Sequence, residues 1–219
     1  ALHAAFAENV DALPWLRAHR DFIESDQFGF GDRPFHWLYW LLVQQMPQDF
    51  AFLEDGVFKG QVTSLIALCA KQCAKNAVVF GVTTLKNTPD VRCRYPDGDY
   101  AKWIAEIHNK FEVPQPLLIV GRSDDPKVIQ AVQLRSYDLV LIDGSHDYLD
   151  VVHDIENYAK CVKMGCFLLM DDASINRLNV GTCWSGLEDV AQAVKDTLDK
   201  DERFKFLMAV GHLNVFVKG

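Results

Sequence analysis

The sequence predicts an α/β fold: a doubly wound, mostly parallel sheet of seven strands that closes on an antiparallel hairpin and follows a helical extension. Three observations carry this expectation. From Phe50 onward, apolar runs without polar alternation, such as "AVVFGV" (77–82) and "DLVLID" (138–143), are separated by segments of helical period. Strands of that kind are buried on both faces, as in parallel sheets whose crossovers are helices. The last two runs, "FKFLMAVG" and "LNVFVK", are joined only through Gly211 and His212, a link suited to an antiparallel hairpin. Finally, 219 residues at 49% hydrophobic and 24% charged content suit one globular α/β domain with an appendage.

Taken in order, residues 1–48 form the helical extension, rich in aromatic residues (Trp15, Phe22, Phe35, Trp37, Trp40), with Pro34 and Pro47 bounding its strongest segment. It packs as a helical pair on the main domain, 49–219, or serves as an acceptor lid or homo-oligomer contact. "AFLEDGVF" (51–58) is the first strand, and "QVTSLIALCAKQCAK" (61–75) has apolar residues at 62, 65, 66, 69 and 73, a helical period. Strands follow at 77–82, 116–121, 138–143 and 166–171, with helices at 99–111, 125–135, 148–163 and 187–199. The irregular stretches 83–98 and 174–186 are long enough to be functional loops and are the segments expected to select a ligand.

A formal charge of −8 leaves no basic field for nucleic acid or anionic membrane, so a small-molecule partner is expected. Six cysteines (69, 73, 93, 161, 166, 183) include no C-x-x-C pair and follow no secretory signal. They are expected to be reduced, in a soluble, cytoplasmic protein. The longest apolar stretch, around "FHWLYWLLV", is far below membrane-spanning length.

In an open parallel sheet, ligands bind beyond the carboxyl ends of the strands. After the first strand, Glu54, Gly56 and Gly60 form a glycine-bearing turn into a helix, which lets backbone approach a ligand closely or simply makes a tight turn. "YDLVLIDGSHDY" (137–148) ends an apolar run in Asp143, and "LLMDDAS" ends the next in Asp171 and Asp172. If those strands are neighbours, their ends lie about 5 Å apart and three carboxylates crowd one rim. Like charges that close raise each other's pKa, and a hard divalent cation such as Mg2+ relieves the conflict. The plainer reading is that these aspartates cap turns. His146, three residues beyond Asp143, has the right unshifted pKa for proton removal, although it could merely cap the following helix. The other six histidines have no comparable placement, and Asp147, Asp150 and Asp154 lie at helical spacing, as on a solvated face.

The order of elements, the glycine turn, the segment "YDLVLIDGSHDYLDVVHDIENYAKCVKMGCFLLMDD" and the closing hairpin together resemble a class I S-adenosylmethionine-dependent methyltransferase over about residues 50–217. The most similar group is the metal-assisted small-molecule O-methyltransferases that include macrocin O-methyltransferase and the cephalosporin-hydroxylase-like proteins. The resemblance implies a Rossmann-like fold and methyl transfer to a hydroxyl of a small molecule, a sugar or secondary metabolite. It places Glu54, Gly56, Phe58 and Gly60 around the methionine portion of the cofactor and Ser123 near the adenine. It matches Asp143, Asp171 and Asp172 to magnesium ligands, with His146 or an acid such as Asp143 as the base. The sequence departs from the pattern at Thr83, which stands where an acid usually holds the cofactor ribose, at Asp55, at Val62 and at Arg122. Two other readings stay open: a metal-dependent hydrolase or hydroxylase-like enzyme using the same aspartates, and a non-catalytic binding module on this fold.

Overall fold

The computed structural model describes residues 2–26, 28–87, 96–175, 177 and 184–219. Cys93, Cys183 and much of both candidate acceptor loops lie outside the described residues. Three helices come first: α1 (Leu2–Ala12), α2 (Pro14–Asp26) and α3 (Arg33–Gln45). Then β1 (Asp49–Asp55), α4 (Gln61–Gln72), β2 (Asn76–Thr83), α5 (Tyr100–Lys110), β3 (Leu117–Val120) and α6 (Pro126–Val132) lead to β4 (Tyr137–Ile142). The chain closes with α7 (Tyr148–Tyr158), β5 (Val162–Met170), α8 (Glu188–Asp196), β6 (Phe204–Val210) and β7 (Leu213–Lys218). The seven strands form one sheet in the order β3-β2-β1-β4-β5-β7-β6. The first five are parallel, and β7 inserts antiparallel between β5 and its hairpin partner β6. The strand order reverses between β1 and β4, the switch point where such sheets open a crevice at their carboxyl ends.

Local chemistry explains the element starts. Asp99 accepts the Lys102 N–H at 2.9 Å to begin α5, and Asp125 accepts the Lys127 N–H at 2.8 Å, with Pro126 in the first turn of α6. The helix expected over 148–163 stops sooner, at Tyr158, and β5 starts at Val162, before the expected Cys166. Lys163 reaches the buried Asp138 at 2.8 and 2.9 Å, and Asp138 also accepts the Ala51 N–H at 2.8 Å. This clamp ties the start of β5 to β4 and β1, overriding the helical pattern of the sequence.

Alternate residues along each strand feed two cores. Phe52, Leu139, Leu141, Leu169 and Val215 pack with α3 and α4, whereas Leu53, Val140, Ile142, Leu168 and Phe216 pack with α7 and α8. The N-terminal helices belong to the first core through Phe6, Val10, Leu16, Leu38 and Leu42. Buried histidines add a polar clamp: His19 Nδ1 lies 2.9 Å from His36 Nε2, and His19 Nε2 lies 3.0 Å from Ser64 Oγ on α4. Burial drives the His19 ring down to about 3, so it stays neutral at physiological pH. Cys69, Cys73, Cys161 and Cys166 are unpaired thiols. Among the described residues no helix is long and apolar enough to cross a membrane.

Candidate active site

The carboxyl ends of β1, β4 and β5 are held in step by the backbone. The Asp143 N–H donates to the Asp55 carbonyl at 2.9 Å, and the Asp171 N–H donates to the Ile142 carbonyl at 3.1 Å. Because Ile142 pairs with Met170, the two aspartates leave adjacent strands side by side, and their side chains touch. Asp172 adopts a left-handed φ of 52° that turns the chain off the sheet. Its carbonyl accepts the Leu187 N–H at 2.8 Å and packs so tightly on Gly186 that a Cβ there would collide with it. Gly56, at φ 97°, is equally constrained, because a Cβ would strike the Asp143 carbonyl. Glycine is therefore needed to seat the β1 turn against the acidic rim.

Two histidines and an indole complete this rim. His146 Nε2 lies 3.1 Å from Asp172 Oδ2, and the Trp184 Nε1–H donates to Asp172 Oδ1 at 3.2 Å. His212, in the β6–β7 loop, places Nε2 3.4 Å from Asp171 Oδ1 and 3.7 Å from Asp172 Oδ1. The expectation that no histidine but His146 is comparably placed is corrected here. His212 enters the site because β7 lies beside β5, so the hairpin loop comes out at the carboxyl end of β5.

Burial, then the charges of Asp171, Asp172 and Glu54, push the Asp143 carboxyl well above its ordinary range. Burial raises Asp171 as well, against the pull of His212. Burial also opposes ionisation of Asp172, but hydrogen bonding from His146, the charge of His212 and the Trp184 indole outweigh it and hold Asp172 low. Glu54, 3% exposed, is pushed up to about 8 by burial, despite a bond from the Thr63 N–H, and its Oε2 has no hydrogen-bond partner. Asp171 Oδ1 is likewise buried and unpartnered. Asp171, Asp172 and His212 bring donor atoms within 4.8 Å of one another, with Asp143 against Asp171. Crowded carboxylates with an orphaned oxygen fit a divalent cation, which would satisfy both deficits.

These groups share a cavity of about 830 Å³ with the rest of the switch point. Its wall includes Glu54, Gly56, Phe58, Thr83, Ser123, Asp143, His146, Asp171 and Asp172. Gly60 does not reach the wall; it precedes α4 at φ 85° and packs on Ile104 of α5. The extension supplies Phe30, Phe35 and Tyr39 as a further wall, which the aromatic content of 1–48 hinted at without locating. At the far end, Thr83 Oγ1 accepts the Leu85 N–H at 3.1 Å, and Arg122 forms a two-pronged pair with Asp124 at 2.9 and 3.1 Å.

A second acidic pair lies beneath Gly144. Asp154 is 2% exposed and faces Asp55, so its expected place on a solvated face is corrected: α7 turns it inward, where the missing side chain of Gly144 leaves room for both carboxyls. Burial, then Asp154, drives Asp55 well above its usual range, and burial takes Asp154 to about 6. One proton shared between them removes the repulsion.

Comparison with known proteins agrees with this fold. The family described as "Methyltransferase domain" matches residues 53–173, from β1 to just beyond the Asp171–Asp172 turn. The O-methyltransferase from Bacillus cereus in complex with SAH superposes with a TM-score of 0.62 at 14% identity, covering 98% of this chain and 97% of that one. The SAH-bound Podospora anserina methyltransferase PaMTH1 gives 0.61 at 18% identity, covering 94% and 88%. CalS11, a TDP-rhamnose 3′-O-methyltransferase of calicheamicin biosynthesis, gives 0.59 at 15%, covering 84% and 77%. No curated protein matches the sequence. At these identities the structures establish a shared fold, and the family match covers more than half of the chain: it belongs to the methyltransferase-domain family and is a methyltransferase.

Proposed function

We propose that this chain is an S-adenosylmethionine-dependent, divalent-metal-assisted O-methyltransferase acting on a hydroxyl of a small molecule, a sugar or secondary metabolite. One observation carries the reading: the acidic ends of two adjacent strands, Asp143 and Asp171, open with Asp172 into the same cavity as the glycine turn of β1. At about 830 Å³ that cavity is near the upper end of the usual range for small-molecule sites and has room for donor and acceptor together. A sugar acceptor is supported by the likeness to CalS11.

Glu54, Gly56 and Phe58 would receive the methionine part of the cofactor, and Thr83 and Ser123 the adenosine part, with Gly60 fixing the turn from below. Asp143, Asp171 and Asp172 would hold the cation. When bound, that cation supplies a positive charge that lowers the pKa of the acceptor hydroxyl and offsets the repulsion among the carboxylates. His146, oriented by Asp172 at 3.1 Å, receives the acceptor's proton, and Asp143 is the second group able to do so. Phe35 and Tyr39 keep water from the acceptor side of the wall. A surface of net charge −8 disfavours nucleic acid and anionic membranes as partners.

The test is methyl transfer from radiolabelled S-adenosylmethionine to a panel of hydroxylated acceptors, including nucleotide-activated sugars, with and without EDTA. Turnover that EDTA abolishes and Mg2+ restores is expected. Product formation indifferent to EDTA would remove the metal from the mechanism, and failure to bind the cofactor at all would remove the proposal.

A further inference from the structure

We infer that His212 is a nitrogen ligand of the divalent ion, and that the site therefore prefers a transition ion such as Mn2+ or Co2+ to magnesium. This rests on the metal-assisted reading above and concerns which ion, and through which atom, the chain holds.

The distances are the first argument. His212 Nε2 stands 3.4 and 3.7 Å from oxygens of Asp171 and Asp172, longer than a good N–H···O bond. Two atoms bound to one ion at about 2.1 Å stand about 3 Å apart at a right angle and about 4 Å apart when opposed. The observed separations fall between those limits. An orphaned oxygen supplies an independent argument. His212 is 6% exposed, and the Asp171 Oδ1 that its Nε2 faces is buried without a hydrogen-bond partner. Buried polar groups left so are uncommon and call for an ion or water.

The ring is also held in place. The Ala173 N–H donates to the His212 carbonyl at 2.9 Å, and Phe35 packs edge-on against the imidazole with centroids 4.6 Å apart. His146 differs, because its Nε2 already lies at hydrogen-bonding distance from Asp172, 3.1 Å. The consequence follows from ligand chemistry. Magnesium takes oxygen ligands almost exclusively, whereas imidazole suits the later first-row ions, whose affinity rises along the series from Mn2+.

The experiment uses the full chain freed of metal, titrated with Mn2+ or Mg2+ by calorimetry, with electron spin-echo spectroscopy of bound Mn2+ to detect a directly coordinated 14N nucleus. Wild type is expected to bind Mn2+ more tightly than Mg2+ and to show the nitrogen coupling. His212→Ala should lose the coupling and weaken Mn2+ binding by about tenfold or more, with a smaller effect on Mg2+. Bound Mn2+ without nitrogen coupling in wild type, or coupling that survives in His212→Ala, overturns the inference and leaves the metal-assisted reading intact. If His212→Ala does not fold, His146→Ala decides: retained coupling supports His212, and lost coupling overturns it. No binding of either ion by wild type overturns both proposals.

Discussion

Replacing Glu54 by Gln should change how stability depends on pH. In the folded chain the carboxyl is buried and titrates at about 8, against 4.5 when exposed. The folded state therefore keeps a proton that the unfolded chain releases above pH 4.5, and stability falls as pH rises from 4.5 toward 8. At about 1.4 kcal/mol for each pH unit in that window, the full effect is about 5 kcal/mol, and about 3 kcal/mol of it develops between pH 5 and pH 7. The amide in Glu54→Gln carries no charge to bury, so the variant should gain that much on wild type over the same interval, whatever fixed offset the new side chain introduces. Urea unfolding of both proteins in EDTA, from pH 5 to pH 8, measures the difference directly. Parallel pH profiles would mean that Glu54 is solvated or paired in the fold, and that no buried neutral carboxyl waits at the glycine turn.

Other substitutions probe the surrounding framework. Gly56→Ala must either abandon φ 97° or displace the Asp143 carbonyl, so it should destabilise the chain by about 2–4 kcal/mol in urea unfolding and abolish cofactor binding in calorimetry; a change below about 0.5 kcal/mol would contradict the tight seating of this turn. His19 is neutral in the fold, titrating at about 3 against 6.5 when exposed, so its contribution is fully present above pH 6.5 and is lost as pH falls. The stability advantage of wild type over His19→Gln should therefore shrink by about 2 kcal/mol between pH 7 and pH 5. A constant difference would place the ring in contact with water.

The parallel sheet, the hairpin and the paired acids Asp143 and Asp171 were legible because their signals are local. A strand buried on both faces reads as an unbroken apolar run, and an acid ending such a run stands out. The partners that complete the site depend on spatial order. His212 became visible only when β7 was inserted between β5 and β6, an arrangement that the hairpin's own sequence does not specify. Asp154 shares its helical spacing with Asp147 and Asp150, and only the gap under Gly144 explains why it turns inward. Phe35 and Tyr39 lie in the extension whose sequence left packing and a lid role both open; they do pack, and their other edges line the cavity. Gly60 carries the opposite lesson, since its position suggested ligand contact and its surroundings show a helix-packing role.

The most direct measurement is a calorimetric titration of Mg2+ and Mn2+ into the metal-free chain, for wild type and for Asp171→Asn. One ion per chain, bound at least about tenfold more weakly after the substitution, is the expected outcome, because Asp171 touches Asp143 and carries the unpartnered oxygen of the cluster. Equal affinity in the two proteins, or no binding in either, would show that the adjacent acids of β4 and β5 do not meet around an ion.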